Sequence, residues 1–282
     1  MEYVVVTGAS GGMGKATCEL LAKKGFHVFA LDIKTHPDFE NNEFVTPIVT
    51  DLTDGQSVIN AFNTVKSITK SIRAIIHFAG IYCLDSLVEM SEEKFIRAFN
   101  VNLFGAFRVN KTFLPLLQKD GRIIITSSEL APLDPLPFTG IYAITKGALD
   151  KYAYSLRMEV GLLGIKVSVI RPGAVNTGLL GDSTRELENF CKNTILYDCN
   201  APRFKKIVDS VEAKNVSPEK VANLAVKALL AKHPKQVYNL NRNPLLLILN
   251  GLPRTWQTSI IKGLLKKPKT KDTPPKTQRN GD

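Results

Sequence analysis

Short apolar runs alternate with amphipathic stretches along most of the chain. Tyr3-Val4-Val5-Val6, His27 to Leu31, Phe44 to Val49, Ala74 to Phe78, Arg122 to Thr126, Lys166 to Ile170 and Gln236 to Leu240 are rich in β-branched residues. Runs of this kind read as strands, several of them buried on both faces. Between the first two, Ala16, Leu20 and Leu21 share one helical face, and Lys23-Lys24-Gly25 marks the end of that helix. Further helices are expected over Gln56–Thr69, Glu92–Gln118 and Tyr142–Leu163, and from Ser217, a capping residue followed by Pro218, to about Lys232. Strands alternating with helices imply an α/β fold: one doubly wound domain with a parallel sheet, covering residues 1–243.

Two regions break the alternation. The connection 177–216 is far longer than an ordinary loop and reads as a substrate lid. Residues 244–265 read as an amphipathic C-terminal helical segment, and 266–282, rich in Lys, Pro and Thr, as a disordered basic tail.

Composition narrows the class. Of 282 residues 44% are hydrophobic and 22% charged, enough apolar content for a sizeable core. The net charge of +11 is unevenly placed. Residues 1–230 hold 26 Lys and Arg against 24 acids, whereas 231–282 hold 11 against 2. A nucleic-acid enzyme spreads its positive charge over a face of the fold, so no nucleic-acid partner is expected. Cys18, Cys83, Cys191 and Cys199 lack metal-ligand spacing and the histidines are scattered, so no metal is expected. The chain starts almost at once on its first strand, and a cytoplasmic setting with reduced thiols is the expectation.

The chemistry begins at Thr7-Gly8-Ala9-Ser10-Gly11-Gly12-Met13-Gly14, between the first strand and the first helix. Glycines there let backbone amides approach a pyrophosphate at the positive end of the helix. Alone, such a stretch is also an ordinary tight turn. Asp32, about 20 residues further on, ends the second strand, where a carboxylate accepts ribose hydroxyls and repels a 2′-phosphate. Lys34 is the nearest cation, and NAD is therefore expected over NADP. The fold expectation sharpens to a Rossmann-type domain.

Tyr142 and Lys146 stand four apart in a helical pattern and share a face. An ammonium beside a phenol favours the phenolate and lowers its pKa, giving a usable acid/base for a hydroxyl proton. A lone Tyr-x-x-x-Lys is usually a chance surface pair; here it joins a dinucleotide turn and Ser127-Ser128 at a strand end.

These motifs in this order resemble the short-chain dehydrogenase/reductase family, including its hydroxysteroid and retinol dehydrogenase-like members. The resemblance covers about residues 1–240 and runs through Thr7-Gly8-xxx-Gly12-x-Gly14, Asp51-Leu52, Asn102, Ser127-Ser128, Tyr142-Ala143-Ile144-Thr145-Lys146 and Arg171-Pro172-Gly173 to Thr177. It implies Tyr142 as acid/base, Ser128 as hydrogen-bond partner of the substrate oxygen, Lys146 as ribose ligand and tuner, and Asn102 as holder of a relay water. By the same resemblance Gly8, Ser10, Gly12, Met13, Gly14, Asp32, Ile33, Asp51, Leu52, Ala79, Gly80, Pro172, Val175 and Thr177, with Tyr142 and Lys146, bind the cofactor. It also implies a homodimer or homotetramer formed through the two long helices.

The pattern departs from the family at three places. The usual Asn-Asn-Ala-Gly is His77-Phe78-Ala79-Gly80 here, with His77 read as structural. The stretch from Ser128 to Tyr142 is one residue longer than expected and contains Pro132, Pro135 and Pro137, which leaves Ser127 and Ser128 both open as the active serine. The third departure is the C-terminal segment.

Leu179, Leu180, Phe190, Ile195, Leu196, Tyr197 and Phe204 in the lid, with Leu133, Leu136 and Phe138, line a pocket for a lipophilic alcohol or ketone of steroid, retinoid or bile-acid type, or else pack the lid onto the body. Trp256, Ile260 and Leu264, with Ile261 and Leu265, form an apolar stripe flanked by Arg254, Lys262, Lys266 and Lys267. Residues 244–267 either make a peripheral membrane contact or pack on the substrate mouth or a dimer partner. The resulting expectation is an NAD-dependent oxidoreductase interconverting an alcohol and a ketone or aldehyde; the alternative is a non-catalytic NAD-binding redox sensor or scaffold.

Overall fold

The computed structural model describes residues 1–266, without the side chains of residues 179, 180, 182 and 183. The lid positions Leu179 and Leu180, as side chains, and the tail beyond Lys266 therefore lie outside the described residues.

Seven strands form one parallel sheet: β1 Glu2–Thr7, β2 Phe26–Asp32, β3 Val45–Val49, β4 Ile72–His77, β5 Leu117–Thr126, β6 Lys166–Pro172 and β7 Val237–Leu240. Their spatial order is β3-β2-β1-β4-β5-β6-β7, so the winding reverses between β1 and β4. Ligands of open α/β sheets bind at that reversal, outside the carboxyl ends of the strands.

The core has two halves because side chains alternate along each strand. Val4 and Val6 face one layer with Cys18 and Leu21 of α1 (Gly12–Lys23) and Val221 and Leu229 of a C-terminal helix, Pro218–Leu230. Val5, between them, faces α2 (Gly55–Ile68), α4 (Gly105–Phe113) and α5 (Gly140–Gly161) through Val58, Val109 and Leu149. Each such aliphatic side chain removed from water contributes about 1.5–3 kcal/mol.

The expected helix Glu92–Gln118 is interrupted. It is α3 (Glu92–Phe99), a π-helical turn Asn100–Phe104, and then α4. Pro115 closes it, and β5 already begins at Leu117. The side chain of Asn102, in the widened turn, bonds to another segment.

The long connection is built of two helices, α6 (Gly178–Asn193) and α7 (Ala201–Glu212), which pack together. Phe190 and Phe204 meet Leu84 and Phe138 in an apolar cluster of their own. Glu89 fastens the loop between the two helices: it accepts the Thr194 hydroxyl at 2.6 Å and the backbone N–H groups of Ile195 and Leu196 at 2.9 and 3.0 Å. Ile195 and Leu196 themselves face solvent, contrary to the pocket-lining expectation.

α8 is the helix Pro218–Leu230. The C-terminal segment, expected to be helical, consists of α9 (Pro244–Asn250) and α10 (Arg254–Leu265), separated at Gly251-Leu252-Pro253. Gln257, Ile261 and Leu265 of α10 face the protein; the last two join the lid cluster. Trp256, Ile260 and Leu264 are exposed. The expected single apolar stripe is thus two stripes, one docked and one facing outward.

Candidate active site

The glycine turn follows β1 at the winding reversal. Gly8 has φ +66°, and a Cβ there would lie 2.4 Å from the Ala79 nitrogen. At Gly14 a Cβ would lie 2.0 Å from the Gly8 carbonyl oxygen, and at Gly12 2.9 Å from Thr177 Cγ2. The turn, the end of β4 and the segment after β6 are thereby pressed together around a cradle that tolerates no side chain. α1 starts from Gly11, which has no side chain to cap the helix, so its first N–H groups face that cradle uncapped.

Asp32 closes one side. Its Oδ2 accepts the Ser10 N–H at 2.9 Å, and its carbonyl accepts the Thr50 N–H at 2.7 Å. Ile33 is exposed beside it. Asp51 turns its carboxylate to Thr53, which donates N–H and hydroxyl at 2.8 and 2.7 Å and holds the acid below its ordinary pKa. Leu52 is buried, its carbonyl accepting from Arg108. Met13, Gly80, Pro172, Val175 and Thr177 line one open cavity together with Ser128, Tyr142 and Lys146. With the open solvent at its mouth included, that cavity holds about 1110 Å³ of atom-free space.

Tyr142 and Lys146 rise from the first turns of α5 against the end of β5. Lys146 Nζ donates to the Thr126 carbonyl at 3.2 Å and lies 5.8 Å from the Tyr142 ring centre. The Ser127 hydroxyl donates to the Lys146 carbonyl at 3.2 Å and is turned into the helix. The Ser128 hydroxyl accepts the Leu130 N–H and bears on the Tyr142 phenol, which it pulls toward ionisation. Of the two serines, Ser128 is the one presented to the phenol.

The expected lowering of the Tyr142 pKa by Lys146 is not found. Burial pushes the phenol up to about 12, Ser128 opposes this, and the charge of Glu129 adds to it. Burial likewise pulls Lys146 down to about 8. Removing both groups from water disfavours both charges.

Asn102 is buried in the π-helical turn. It bonds Ile81 in both directions and donates to the Thr145 hydroxyl at 3.0 Å. A Cβ on Gly80 would lie 3.2 Å from both Asn102 Oδ1 and Lys146 Nζ. His77 is buried below the cavity between Thr7 and Asn110, with its pKa lowered to about 4.

Tyr82, Glu129 and Glu212 are among the lining residues that escaped the sequence reading. Tyr82 meets Tyr142 edge to face with ring centres 4.6 Å apart, and nothing in the local sequence signals it. Glu129 and Glu212 also line the cavity. Glu129 had a signal: a charged residue directly after Ser127-Ser128, at the buried end of a strand.

The residues present fit a nicotinamide dinucleotide. The glycine cradle would take its pyrophosphate at the start of α1, and Asp32 its ribose hydroxyls. Thr126 lines the cavity, and its buried Oγ1 has no hydrogen-bond partner among the described residues.

Residues 2–188 match the family model described as short chain dehydrogenase. The chain belongs to that family. Among short chain dehydrogenase relatives, the 3-ketodihydrosphingosine reductase of Bacteroides thetaiotaomicron is 28% identical over 90% of this chain and 93% of its own. The NADPH-dependent 3-dehydrocapnine reductase of Ornithobacterium rhinotracheale is 30% identical over 84% of this chain and 87% of its own. Among solved structures, a short-chain dehydrogenase from Streptomyces avermitilis superposes with a TM-score of 0.72 over 93% of each chain, at 21% identity, which speaks to the fold.

Proposed function

We propose that the protein interconverts a ketone and a secondary alcohol on a lipophilic substrate, using a bound nicotinamide dinucleotide. The single observation that carries the reading is the convergence of Ser128, Tyr142 and Lys146 on one cavity beside the glycine cradle. The cofactor, when bound, supplies or accepts the hydride. In reduction the carbonyl carbon gains that hydride and its oxygen gains the Tyr142 phenolic proton; oxidation returns both. Ser128 positions the substrate oxygen beside the phenol. Lys146 holds the ribose and faces Tyr142. Leu136, Phe204, Ile207 and Leu246 give the cavity apolar walls suited to a lipid-like, steroid-like or retinoid-like body. The two reductases named above, for 3-keto and 3-dehydro compounds, support a ketone as the reacting group.

Tyr142→Phe tests the assignment. Turnover falls by about 10²–10⁴-fold, as for loss of a general acid/base, while cofactor affinity is retained. A variant with near-native rate ends the assignment. Cofactor binding without turnover of any lipophilic ketone by the unaltered protein would favour the sensor or scaffold reading.

Two partner surfaces are part of the same proposal. Phe104, Phe107, Tyr154 and Met158 are exposed on or beside α4 and α5, a face suited to a second copy of the chain. The outward stripe Trp256-Ile260-Leu264, flanked by Arg254, Lys262 and Lys266, suits the surface of an anionic membrane. Among the described residues no helix is long and apolar enough to cross a membrane. Sedimentation with anionic liposomes, before and after Trp256→Glu, reads the second surface; equal sedimentation of both proteins rules it out. The first is read by molecular mass in solution, where a monomer rules it out.

A further inference from the structure

Two segments that wall the reaction cavity have few bonds of their own. One is the loop from Glu129 to Thr139, which gives Leu130, Leu136 and Thr139 to the cavity and forms neither helix nor strand. Pro132, Pro135 and Pro137 in it have no N–H to donate. The other is α9, which gives Leu246 to the cavity. It is seven residues long, none of them fully buried. A helix that short does not hold its shape unaided.

Each segment is fixed by the other. At the start of α9, Glu129 Oε2 accepts the Asn243 N–H at 2.7 Å. At its end, Asn250 Oδ1 accepts the Asp134 N–H at 2.7 Å. The Asp134 carboxylate then takes hold of α10. Its Oδ1 accepts from Arg254 Nη2 at 2.9 Å, and its Oδ2 from Arg254 Nε at 3.3 Å and Gln257 Nε2 at 3.2 Å. Gln257 is buried and also donates to the Leu252 carbonyl at 2.9 Å, in the turn between the two helices.

The far end of α10 reaches the lid. Asn200 Nδ2 donates to the Leu265 carbonyl at 2.8 Å, and Ile261 and Leu265 pack in the cluster of Phe204. Loop, α9, α10 and lid are therefore joined in one circuit around the cavity, and Asp134 is where three of the four meet. Asp134 stands behind the wall, and Leu136 and Leu246 are the side chains that face the ligand. Their spacing depends on bonds that each contribute little alone but converge on one residue, with a two-pronged guanidinium grip among them.

We propose that Asp134 is a positioning residue for the apolar part of the cavity: by holding Leu246 of α9 in register with Leu136 of the loop, it sets how strongly the enzyme favours a long hydrocarbon body over a short one. This rests on the oxidoreductase reading above and assigns part of its specificity. Ser128 and Tyr142 meet the reacting group whatever the length of that body.

The test compares methyl undecyl ketone with methyl propyl ketone on the full-length protein with reduced dinucleotide. The unaltered protein favours the undecyl ketone in kcat/KM. Asp134→Ala narrows that preference by about tenfold, the worth of about two buried methylene groups, and the change lies in KM for the long ketone. Asp134→Asn, which still offers an oxygen to Gln257, keeps most of the preference. Should Asp134→Ala fail to fold, Arg254→Ala reads the same ratio, because that side chain is 84% exposed and its loss leaves the packing intact; it narrows the preference by about threefold, as for loss of one partly exposed ion pair. A merely structural role lowers kcat for both ketones alike and leaves their ratio where it was, and that outcome overturns the proposal. Equal use of both ketones by the unaltered protein overturns it too, while the oxidoreductase reading stands. Turnover of neither ketone also overturns it, and if reduced dinucleotide does not bind either, the oxidoreductase reading falls with it.

Discussion

Asn102 grips the backbone of Ile81 from both sides, accepting its N–H at 2.8 Å and donating to its carbonyl at 3.0 Å. A third bond, to the Thr145 hydroxyl at 3.0 Å, ties the same side chain to α5, and Thr145 in turn donates to the Tyr142 carbonyl at 2.9 Å. One buried amide thus joins the loop after β4, the π-helical turn and the helix carrying Tyr142 and Lys146. Its side chain has three protein partners, so a relay water at this position would fall to the main chain of the widened turn.

Asn102→Ala should therefore destabilise the fold by about 2–4 kcal/mol, since it removes three bonds and leaves inner polar groups unpaired. Turnover should drop with it, because Ile81 and Tyr82 form a wall of the cavity. Chemical denaturation of the two proteins measures the difference. A change under about 0.5 kcal/mol, the level of an ordinary surface substitution, would show that the three bonds carry no net stability.

The phenol of Tyr142 is held high by burial and lowered by Ser128. On the proposed mechanism alcohol oxidation uses the phenolate, so its rate should rise with pH toward the pKa of that group. Ser128→Ala removes the lowering influence and moves this rise to higher pH; at neutral pH oxidation falls by about 10²-fold or more. Ser127→Ala leaves the limb in place, because the Ser127 hydroxyl is spent on the Lys146 carbonyl. A pH profile of kcat/KM for the three proteins decides the matter, and an unshifted limb in Ser128→Ala would refute it.

His77 is buried with Asn110 Oδ1 at 2.9 Å from Nε2 and Thr7 Oγ1 at 3.4 Å from Nδ1. Its pKa in the fold is about 4 against an ordinary 6.5, because burial disfavours the imidazolium. The unfolded chain takes up this proton as pH falls through about 6.5, while the folded protein refuses it until about 4. Protonation then favours unfolding: the stability is fully present above the upper value and is lost as pH falls toward the lower. The loss is on the order of 3 kcal/mol across that window. His77→Asn has no such proton to take up, and its denaturation midpoint should change less between neutral pH and the acid end. Parallel curves for the two proteins would clear His77 of the effect.

The alternating pattern of the chain gave the strands closely except for the start of β5, which begins at Leu117 rather than Arg122, because strands buried on both faces must be apolar throughout. The glycines were legible for a related reason: a position that admits no Cβ admits no other residue. What escaped reading was set by contacts between distant segments. Nothing near Asn102 says that its amide will meet Ile81, so the π-helical turn was invisible. Phe138 takes a left-handed φ of +64° that a bulky residue rarely adopts, and is held there by Phe190, Tyr197 and Phe204 from the lid. In the C-terminal segment, Trp256, Ile260 and Leu264 had the spacing of a docked face, yet the protein buries the neighbouring Gln257-Ile261-Leu265 face. Asp134 explains the choice, because it accepts from Gln257 at 3.2 Å and pairs with Arg254 at 2.9 Å.

A preference for NADH over NADPH would turn on Asp32. Its Oδ2 is oriented by the Ser10 N–H, which leaves the carboxylate at the rim of the cradle where a ribose would sit. The cations nearby are not assembled around it: Lys15 is paired with Asp38 at 2.5 Å and with Glu19 at 3.5 Å, and the Lys34 carbonyl, not its ammonium, is what Ser10 Oγ meets. A 2′-phosphate would stand against an acid. NADH should therefore bind at least about tenfold more tightly than NADPH, or about 1.4 kcal/mol. Asp32→Ala should narrow that ratio by weakening NADH and admitting NADPH, with Lys34 then the closest cation in sequence. One relative is named for NADPH dependence, which makes the opposite result a real contest: tighter NADPH binding by the unaltered protein, measured by quenching of Trp256 or by calorimetry, would mean that Lys15 leaves Asp38 to meet the phosphate. Asp38→Asn separates the two cases, because it frees Lys15 and raises NADPH affinity only if that lysine can reach the site.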